Sequence, residues 1–184
     1  MYKLITESSE RPVTLTGFKR HINFSVADTS KDEHFGLLLD IAADEAESFT
    51  GRQFMPAIYE LQLKDFIEAV EIDICPVTGI NQVKYFDASN EEQILVSGTD
   101  YYVDVVSEPA EVHFRNTLVP YEYRSDAIVI TFGCGYADES LVPPAIKGAI
   151  LFAATDYYVN PGDTVRNLPT KAKSLLRNYR LFTE

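Results

Sequence analysis

The chain has 184 residues, of which 46% are hydrophobic and 12% aromatic, and this composition predicts one compact domain with a substantial core, or such a domain with a small insertion. The formal net charge of −12 disfavours a general binder of DNA phosphates or of anionic membranes. No apolar run approaches the roughly 20 residues that cross a bilayer, and the N-terminus lacks the pattern of a signal peptide. We therefore expect a protein that is made in the cytoplasm and binds no membrane.

The residues that most often carry chemistry are few and scattered. Cys75 and Cys134 form no CxxC pair and define no disulfide framework. His21, His34 and His113 fall in three separate predicted elements, and none has a partner at a spacing typical of metal ligands. The sequence therefore predicts no metal, no cofactor and no catalytic set.

The first third of the chain predicts helices after an extended lead. Thr14 or Thr16 is in position to cap a short helix through its hydroxyl. Ser30 precedes Glu33 by the capping-box spacing, which predicts the start of a longer helix, and Gly51 stands where that helix would end. The apolar stripe of this longer helix comprises Phe35, Leu38, Leu39, Ala42, Ala46 and Phe49.

Acidic residues crowd the same helix, mostly away from its apolar stripe. Two carboxylates in one site could perform acid–base chemistry, but an exposed acidic helix face is the commoner cause of such a cluster. We predict an acidic face that is available to a partner. Its residues are Asp40, Asp44, Glu45 and Glu47.

From about residue 54 to residue 132 the apolar residues alternate in short runs, as is typical of strands. Examples are "YELQLKDF", "NQVKYFD", "YYVDVV" and "AIVITF", separated by Gly, Asn, Asp, Pro and Ser. The segment "DASNEEQ" predicts a hairpin turn between two of them. We expect an antiparallel meander of about six or seven short strands.

The stretch "FGCGYADESLVPPAIKGA" is compatible with a phosphate-binding loop or with a strand that leads into a helix. Its two glycines, Gly133 and Gly135, match no complete nucleotide-binding motif. Asp138 and Glu139 would also repel a phosphate at the start of the helix. The strand-to-helix turn is therefore the favoured interpretation.

The C-terminal part again predicts helices. "AIKGAILFAATDYYVN" has apolar residues around its whole circumference, which predicts a helix that is buried on most sides and ends at "NPGD". "TKAKSLLRNYRLF" predicts a final amphipathic helix. Helices at about 14–50 and 142–181 would then flank the β-rich segment at about 54–132. We therefore expect residues 1–184 to form a single α+β domain.

A basic segment from residue 164 onward contains no acidic residue before residue 184. Three roles fit it: a solvated helix face, docking on an acidic patch of a neighbouring subunit, or contact with DNA phosphates. We expect that deletion of residues 164–184 would leave the fold intact. The basic residues are Arg166, Lys171, Lys173, Arg177 and Arg180.

The order of several blocks resembles a known family. "RPVTLTGFKRHI", "AADEAESFTGRQF", "EIDICPVTGINQVKYFDASNEEQIL", "AIVITFGCGY" and "VPPAIKGAILFAATDYYVN" follow one another as in the head-tail connector proteins of tailed bacteriophages. The most similar branch is often labelled "possible DNA-packaging protein". The resemblance covers about residues 11–161 and is weakest in the basic segment.

The resemblance implies a head-completion adaptor without catalytic residues or cofactors. Such proteins form a homo-oligomeric ring of about twelve subunits below the portal protein, extend the DNA channel, and contact the next connector or tail-completion protein. The implied fold is a helical bundle with an antiparallel β-rich insertion between the second and third main helices. The implied location is the virion head-tail junction, after assembly in the bacterial cytoplasm, with DNA passing through the ring without specific binding. Under this resemblance the basic segment would dock on the portal or on a neighbouring subunit, and deletion of residues 164–184 would abolish docking on portal-bearing capsids. The alternative is a DNA-packaging accessory protein that binds DNA directly.

Overall fold

The computed structural model describes residues 1–115, 118–162 and 168–181. These ranges contain four α-helices and eight strands, and every pair of neighbouring strands is antiparallel, so the predicted α+β class is confirmed. The helices are α1 (Leu15–His21), α2 (Asp32–Thr50), α3 (Pro144–Val159) and α4 (Thr170–Leu176). The strands are β1 (Tyr2–Glu7), β2 (Ala57–Leu63), β3 (Ala69–Ile72), β4 (Val77–Phe86), β5 (Glu92–Leu95), β6 (Tyr101–Asp104), β7 (Ala110–Phe114) and β8 (Ile128–Cys134).

The described residues divide into two compact units. The β unit contains Met1–Ser8 and Pro56–Gly135, and the helical unit contains Ser9–Met55 and residues 136–181. Each unit has its own hydrophobic core. The assignment of residues 1–184 to a single domain stays a prediction.

The β unit is built around β8. One sheet has the strand order β1-β2-β8-β4-β5, and the other has the order β3-β7-β6. Ile130 and Phe132 of β8 are fully buried, together with Val112 of β7, in the core of this unit. The sequence of β8, IVITFGC, is mostly β-branched and aromatic and has one polar residue, Thr131. Such a composition is typical of a strand that is paired on both edges.

The predicted meander is wrong, although the antiparallel pairing is right. β8 lies between β2 and β4, because the most apolar strand takes the central position instead of following its neighbour in the chain. The extended lead at the N-terminus is also an edge strand, β1, that pairs with β2. Its apolar Leu4 and Ile5 remain 45% and 42% exposed, so β1 lacks the alternation that would reveal a strand.

The two glycines of the "FGCGY" stretch serve the backbone of this unit. Gly135 has φ of 94°, a conformation that residues with a Cβ rarely adopt. A Cβ on Gly133 would lie 2.8 Å from the Oγ1 atom of Thr78, so a larger residue there would have to displace the Thr78 side chain. The interpretation as a strand that leaves the sheet before a helix is confirmed, since β8 ends at Cys134 and α3 begins at Pro144.

The helical unit forms around the contact between α2 and α3. Both helices present small side chains to the core, with Ala42 and Ala46 on α2 and Ala149 and Ala153 on α3, all fully buried. Small residues allow two helix backbones to approach closely. The predicted apolar stripe of α2 is confirmed as the buried face of that helix.

The predicted helix ends are partly right. Thr14 caps α1, because the Gly17 amide donates to its Oγ1 at 3.1 Å, and Gly51 ends α2 with φ of 71°. The Ser30 cap is wrong, because α2 begins at Asp32. The Ser30 amide instead donates to Oδ1 of Asp28 at 2.9 Å, and the hydrogen bonds from Ser30 lower the pKa of Asp28.

We expect Phe35→Ala to lower the free energy of unfolding of the helical unit by about 3–5 kcal/mol, because it removes a fully buried ring. That ring packs edge-on against Phe18, Phe24 and Tyr158 at centroid distances of 5.4, 5.0 and 5.3 Å. Leu37→Ala is the matched control on the same helix, since Leu37 is 56% exposed and should change stability by about 0.5 kcal/mol or less. Urea unfolding followed by circular dichroism measures both, and equal effects would contradict the assigned core.

Candidate interaction surfaces of the helical unit

Three of the four acids predicted to form an exposed face on α2 bind groups of the helical unit itself. Asp40 accepts two hydrogen bonds from the Arg11 guanidinium, at 2.5 and 2.8 Å. Glu45 accepts a hydrogen bond from the phenol of Tyr157 on α3. Burial raises the pKa of Tyr157, and the Glu45 carboxylate raises it further, so the phenol remains a protonated donor.

Glu47 stabilises the segment that follows α2. Its Oε1 atom accepts a hydrogen bond from the Phe54 amide at 2.6 Å and another from the Gln53 side chain at 3.3 Å. Phe54 is fully buried, so its amide has no access to water and needs this acceptor. Asp44 is the member of the predicted face that is exposed to solvent.

The solvent side of α2 carries apolar residues that sequence reasoning did not single out. Leu37 and Ile41 are 56% and 39% exposed, and they are separated by four residues, so they neighbour each other on one helix face. Both residues lie outside the predicted apolar stripe, and this position is the sequence signal that could have identified them. Together with the exposed Glu33, Asp44 and Ser48 they form a surface that we call the α2 patch.

The cations of the basic segment differ in their exposure to solvent and in their contacts. Lys171 and Arg177 are exposed, and Lys173 is half-buried. The Lys171 ammonium lies 5.8 Å from the centre of the Phe152 ring, and the Arg180 guanidinium lies 5.6 Å from that of Phe49. Arg166 lies outside the described residues. The docking role of these residues stays a prediction.

The same segment completes the core of the helical unit. Leu168, Ala172 and Leu176 are 6%, 0% and 0% exposed. The Arg52 side chain donates to the carbonyl oxygen of Tyr179 at 2.6 Å. The expectation that residues 164–184 can be removed without disturbing the fold is therefore wrong, because deletion would expose the core that α4 covers.

α3 is buried or half-buried around most of its circumference, as predicted, and its exposed residues are Pro144, Phe152 and Val159. Its outer face leaves Phe152 and Val159 37% and 65% exposed. These side chains, with Pro169 and Lys171 from the chain around the start of α4, line a shallow groove of about 360 Å³, which we call the α3–α4 groove. Asp156 also lines it, and its carboxylate accepts a hydrogen bond from Asn160 at 2.9 Å.

A buried lysine holds the loop that precedes α2. Lys19 is only 3% exposed, and its ammonium donates to the carbonyl oxygen of Asp28 at 2.8 Å and forms an ion pair with Asp32. A single cation thus joins α1, the loop and the first turn of α2. Sequence reasoning missed this role because lysine is rarely buried unless its charge is paired.

The described residues offer little support for a chemical site. No group of three or more metal-ligating side chains occurs among them, and none of their helices is long and apolar enough to cross a membrane. His113 stacks on Tyr102 at 4.5 Å and contacts Glu111 at 2.7 Å in the β unit. Asp138 accepts a hydrogen bond from the Ser140 amide at 2.7 Å and so caps the 3-10 turn Glu139–Leu141 that precedes α3.

Comparison with known proteins identifies a shared fold. No family model matches the chain, and no curated protein matches it. A chain in the neck of an empty gene transfer agent particle, computed with C6 symmetry, superposes with a TM-score of 0.83 at 18% identity, over 100% of this chain and 97% of that chain. A chain in the virion of the native gene transfer agent particle gives 0.82 at 17% identity, over 100% and 97%. A chain in the native neck computed with C12 symmetry gives 0.71 at 18% identity, over 99% and 97%.

We expect Glu47→Ala to destabilise the helical unit by about 1.5–3 kcal/mol, because it leaves the buried Phe54 amide without its charged acceptor. Asp44→Ala is the matched control, since it removes an exposed acid from the same helix and should change stability by about 0.5 kcal/mol or less. Thermal and urea unfolding of both variants measure the difference. Similar stability of the two variants would show that Glu47 is a surface acid.

Proposed function

We propose that this protein is a non-enzymatic structural component of the neck of a tailed phage or phage-like particle, a head-completion adaptor at the head-tail junction. The observation that carries the proposal is the match of fold over the whole chain to a neck component, with a TM-score of 0.83 and 97% of that chain covered. A match over the full length of both chains includes the β unit as well as the helical unit. It therefore supports a shared role more strongly than a match to one common motif would.

The proposed assembly is a ring of about twelve copies. The related necks were computed with C6 and C12 symmetry, and both symmetries are compatible with twelve subunits around one axis. The proposed partners are a portal protein on one side and the next connector or tail-completion protein on the other. Assembly takes place in the bacterial cytoplasm, and the finished ring is part of the virion.

The net charge of −12 suits a channel through which DNA passes without specific binding. Each phosphate that a protein neutralises releases counterions and contributes binding free energy, which would slow a moving duplex. The internal pairs Arg11–Asp40 and Lys19–Asp32 further reduce the number of cations that could bind phosphates. An acidic ring would repel the duplex from its wall.

The exposed cations of the basic segment are the proposed docking groups for the portal or a neighbouring subunit. Lys171 is exposed on α4, whose other face is anchored in the core, and Arg177 is exposed in the turn that follows it. Because the helix backbone is already ordered, binding would have to order only the two side chains. These two residues can therefore be tested without removing any buried side chain.

We expect the double variant Lys171→Glu/Arg177→Glu to bind portal rings roughly tenfold more weakly at low salt, with a smaller effect as salt is raised. Lys64→Glu/Arg115→Glu is the control, since it makes the same change of net charge at exposed residues of the β unit. Sedimentation of the chain with portal rings measures binding. Equal affinity of both double variants would contradict docking through α4.

The alternative, a DNA-packaging accessory protein that binds DNA directly, predicts salt-sensitive binding. We expect the purified chain to show no saturable binding to a fluorescent duplex at about 10 µM protein and physiological salt. Fluorescence anisotropy over a salt series measures this. Binding that weakens steeply with salt, and whose logarithmic salt slope falls by about 2 in Lys171→Glu/Arg177→Glu, would favour the alternative instead.

A further inference from the structure

Two exposed surfaces of the helical unit lie on opposite sides of the α2–α3 pair. Leu37 and Ile41 of the α2 patch are on the side of α2 away from its buried alanines. Phe152 and Val159 of the α3–α4 groove are on the side of α3 away from its own buried alanines. Because each helix buries its other face in the shared core, the two surfaces point in opposite directions.

The two surfaces offer groups that can pair. The α2 patch has two adjacent aliphatic side chains, Leu37 and Ile41, and the exposed acids Glu33 and Asp44. The α3–α4 groove is largely apolar, and Lys171 lies beside Phe152, while the Asp156 carboxylate in the groove already accepts a hydrogen bond from Asn160. An aromatic ring in an apolar depression, bordered by charge, is typical of the centre of a protein interface.

The geometry points to a head-to-tail contact in which the α2 patch of one copy of this chain occupies the α3–α4 groove of the next copy. This inference rests on the proposed ring and names the surfaces that close it. In this contact Leu37 and Ile41 pack against Phe152 and Val159, and the acids beside them face Lys171. Arg177, in the turn that directly follows α4, adds a second exposed cation.

Opposed surfaces exclude a closed twofold dimer. In such a dimer each copy would have to place its patch in its partner's groove while receiving the partner's patch in its own groove. Two rigid bodies cannot do this when patch and groove point in opposite directions. The contact is therefore heterologous, and repetition of a heterologous contact gives a ring when the rotation closes.

The chain is well suited to a cross-linking test. Its two cysteines, Cys75 and Cys134, are 1% and 2% exposed, so they should react slowly with thiol reagents. Ile41→Cys/Val159→Cys places one new thiol on each surface, at positions that are already exposed. A short bismaleimide can link the two thiols whether the packed helices run parallel or antiparallel, because it bridges sulfur atoms that are not in contact.

We expect the full-length double variant, treated with bismaleimide in the largest assembly that it forms alone or with portal rings, to give a ladder of covalent multimers. Ile41→Cys alone and Val159→Cys alone should remain monomeric on a denaturing gel. Ile94→Cys/Val159→Cys is the control, because Ile94 is 60% exposed on β5 of the β unit and should give no ladder. A ladder from the first double variant only would support the contact.

Other outcomes overturn the inference in distinguishable ways. Dimers from Ile41→Cys alone would show a twofold contact, and equal ladders from both double variants would show unspecific collision. Rings that form but yield no ladder would reject this pairing while leaving the proposed function intact. A chain that stays monomeric alone and with portal rings would reject the proposed function itself.

The charges give an independent measurement. Asp44→Lys and Lys171→Glu should each shift assembly to roughly tenfold higher concentration, because each replaces an attraction by a repulsion, and the combined variant should recover most of the loss. Light scattering over a concentration series measures the shift, in the presence of portal rings if assembly requires them. If the two losses of assembly simply multiply in the combined variant, a direct contact between Asp44 and Lys171 would be contradicted.

Discussion

The close contact between α2 and α3 is the interaction on which the helical unit depends. Ala42 and Ala46 face a core that also receives Ala149 and Ala153, and all four are fully buried. Each helix uses one face for this contact, so the opposite face of each is left toward solvent or toward α4. Core packing therefore fixes the directions of the α2 patch and the α3–α4 groove, which the proposed ring contact requires.

Polar interactions around this contact account for charges that composition alone would place on the surface. Glu45 joins α2 to α3 through Tyr157, and Glu47 holds the chain that leaves α2 through the Phe54 amide. Lys19 holds the chain that enters α2. The residues left exposed on α2, such as Asp44, are therefore few and separated, and a partner would meet an apolar centre with acids at its border.

Sequence patterns predicted those features that depend on local geometry. The buried stripe of α2, the Thr14 cap, the Gly51 end and the alternating strands all follow from the spacing of residues along one element. Features that depend on distant residues were missed or wrong. The Ser30 cap failed because Asp28 takes the Ser30 amide, and the meander failed because β8 pairs with both β2 and β4.

The candidate surfaces also divide into features that the sequence predicted and features that depend on distant residues. The positions of the acidic and basic residues were clear from the sequence, but their partners were not, because Arg11 and Asp40 are 29 residues apart and Tyr157 and Glu45 are 112 apart. The exposed Leu37 and Ile41 lie outside the apolar stripe that the sequence predicted, so that pattern could have identified them. Charge patterns predicted where a partner could bind, and packing decided which of those residues remain available.

The mass of the wild-type chain mixed with portal rings, measured by light scattering and followed by negative-stain imaging, tests the central claim most directly. The account predicts a complex that carries about twelve added copies, with a central hole wide enough for a DNA duplex. A chain that remains monomeric and unbound over the whole concentration range would contradict it.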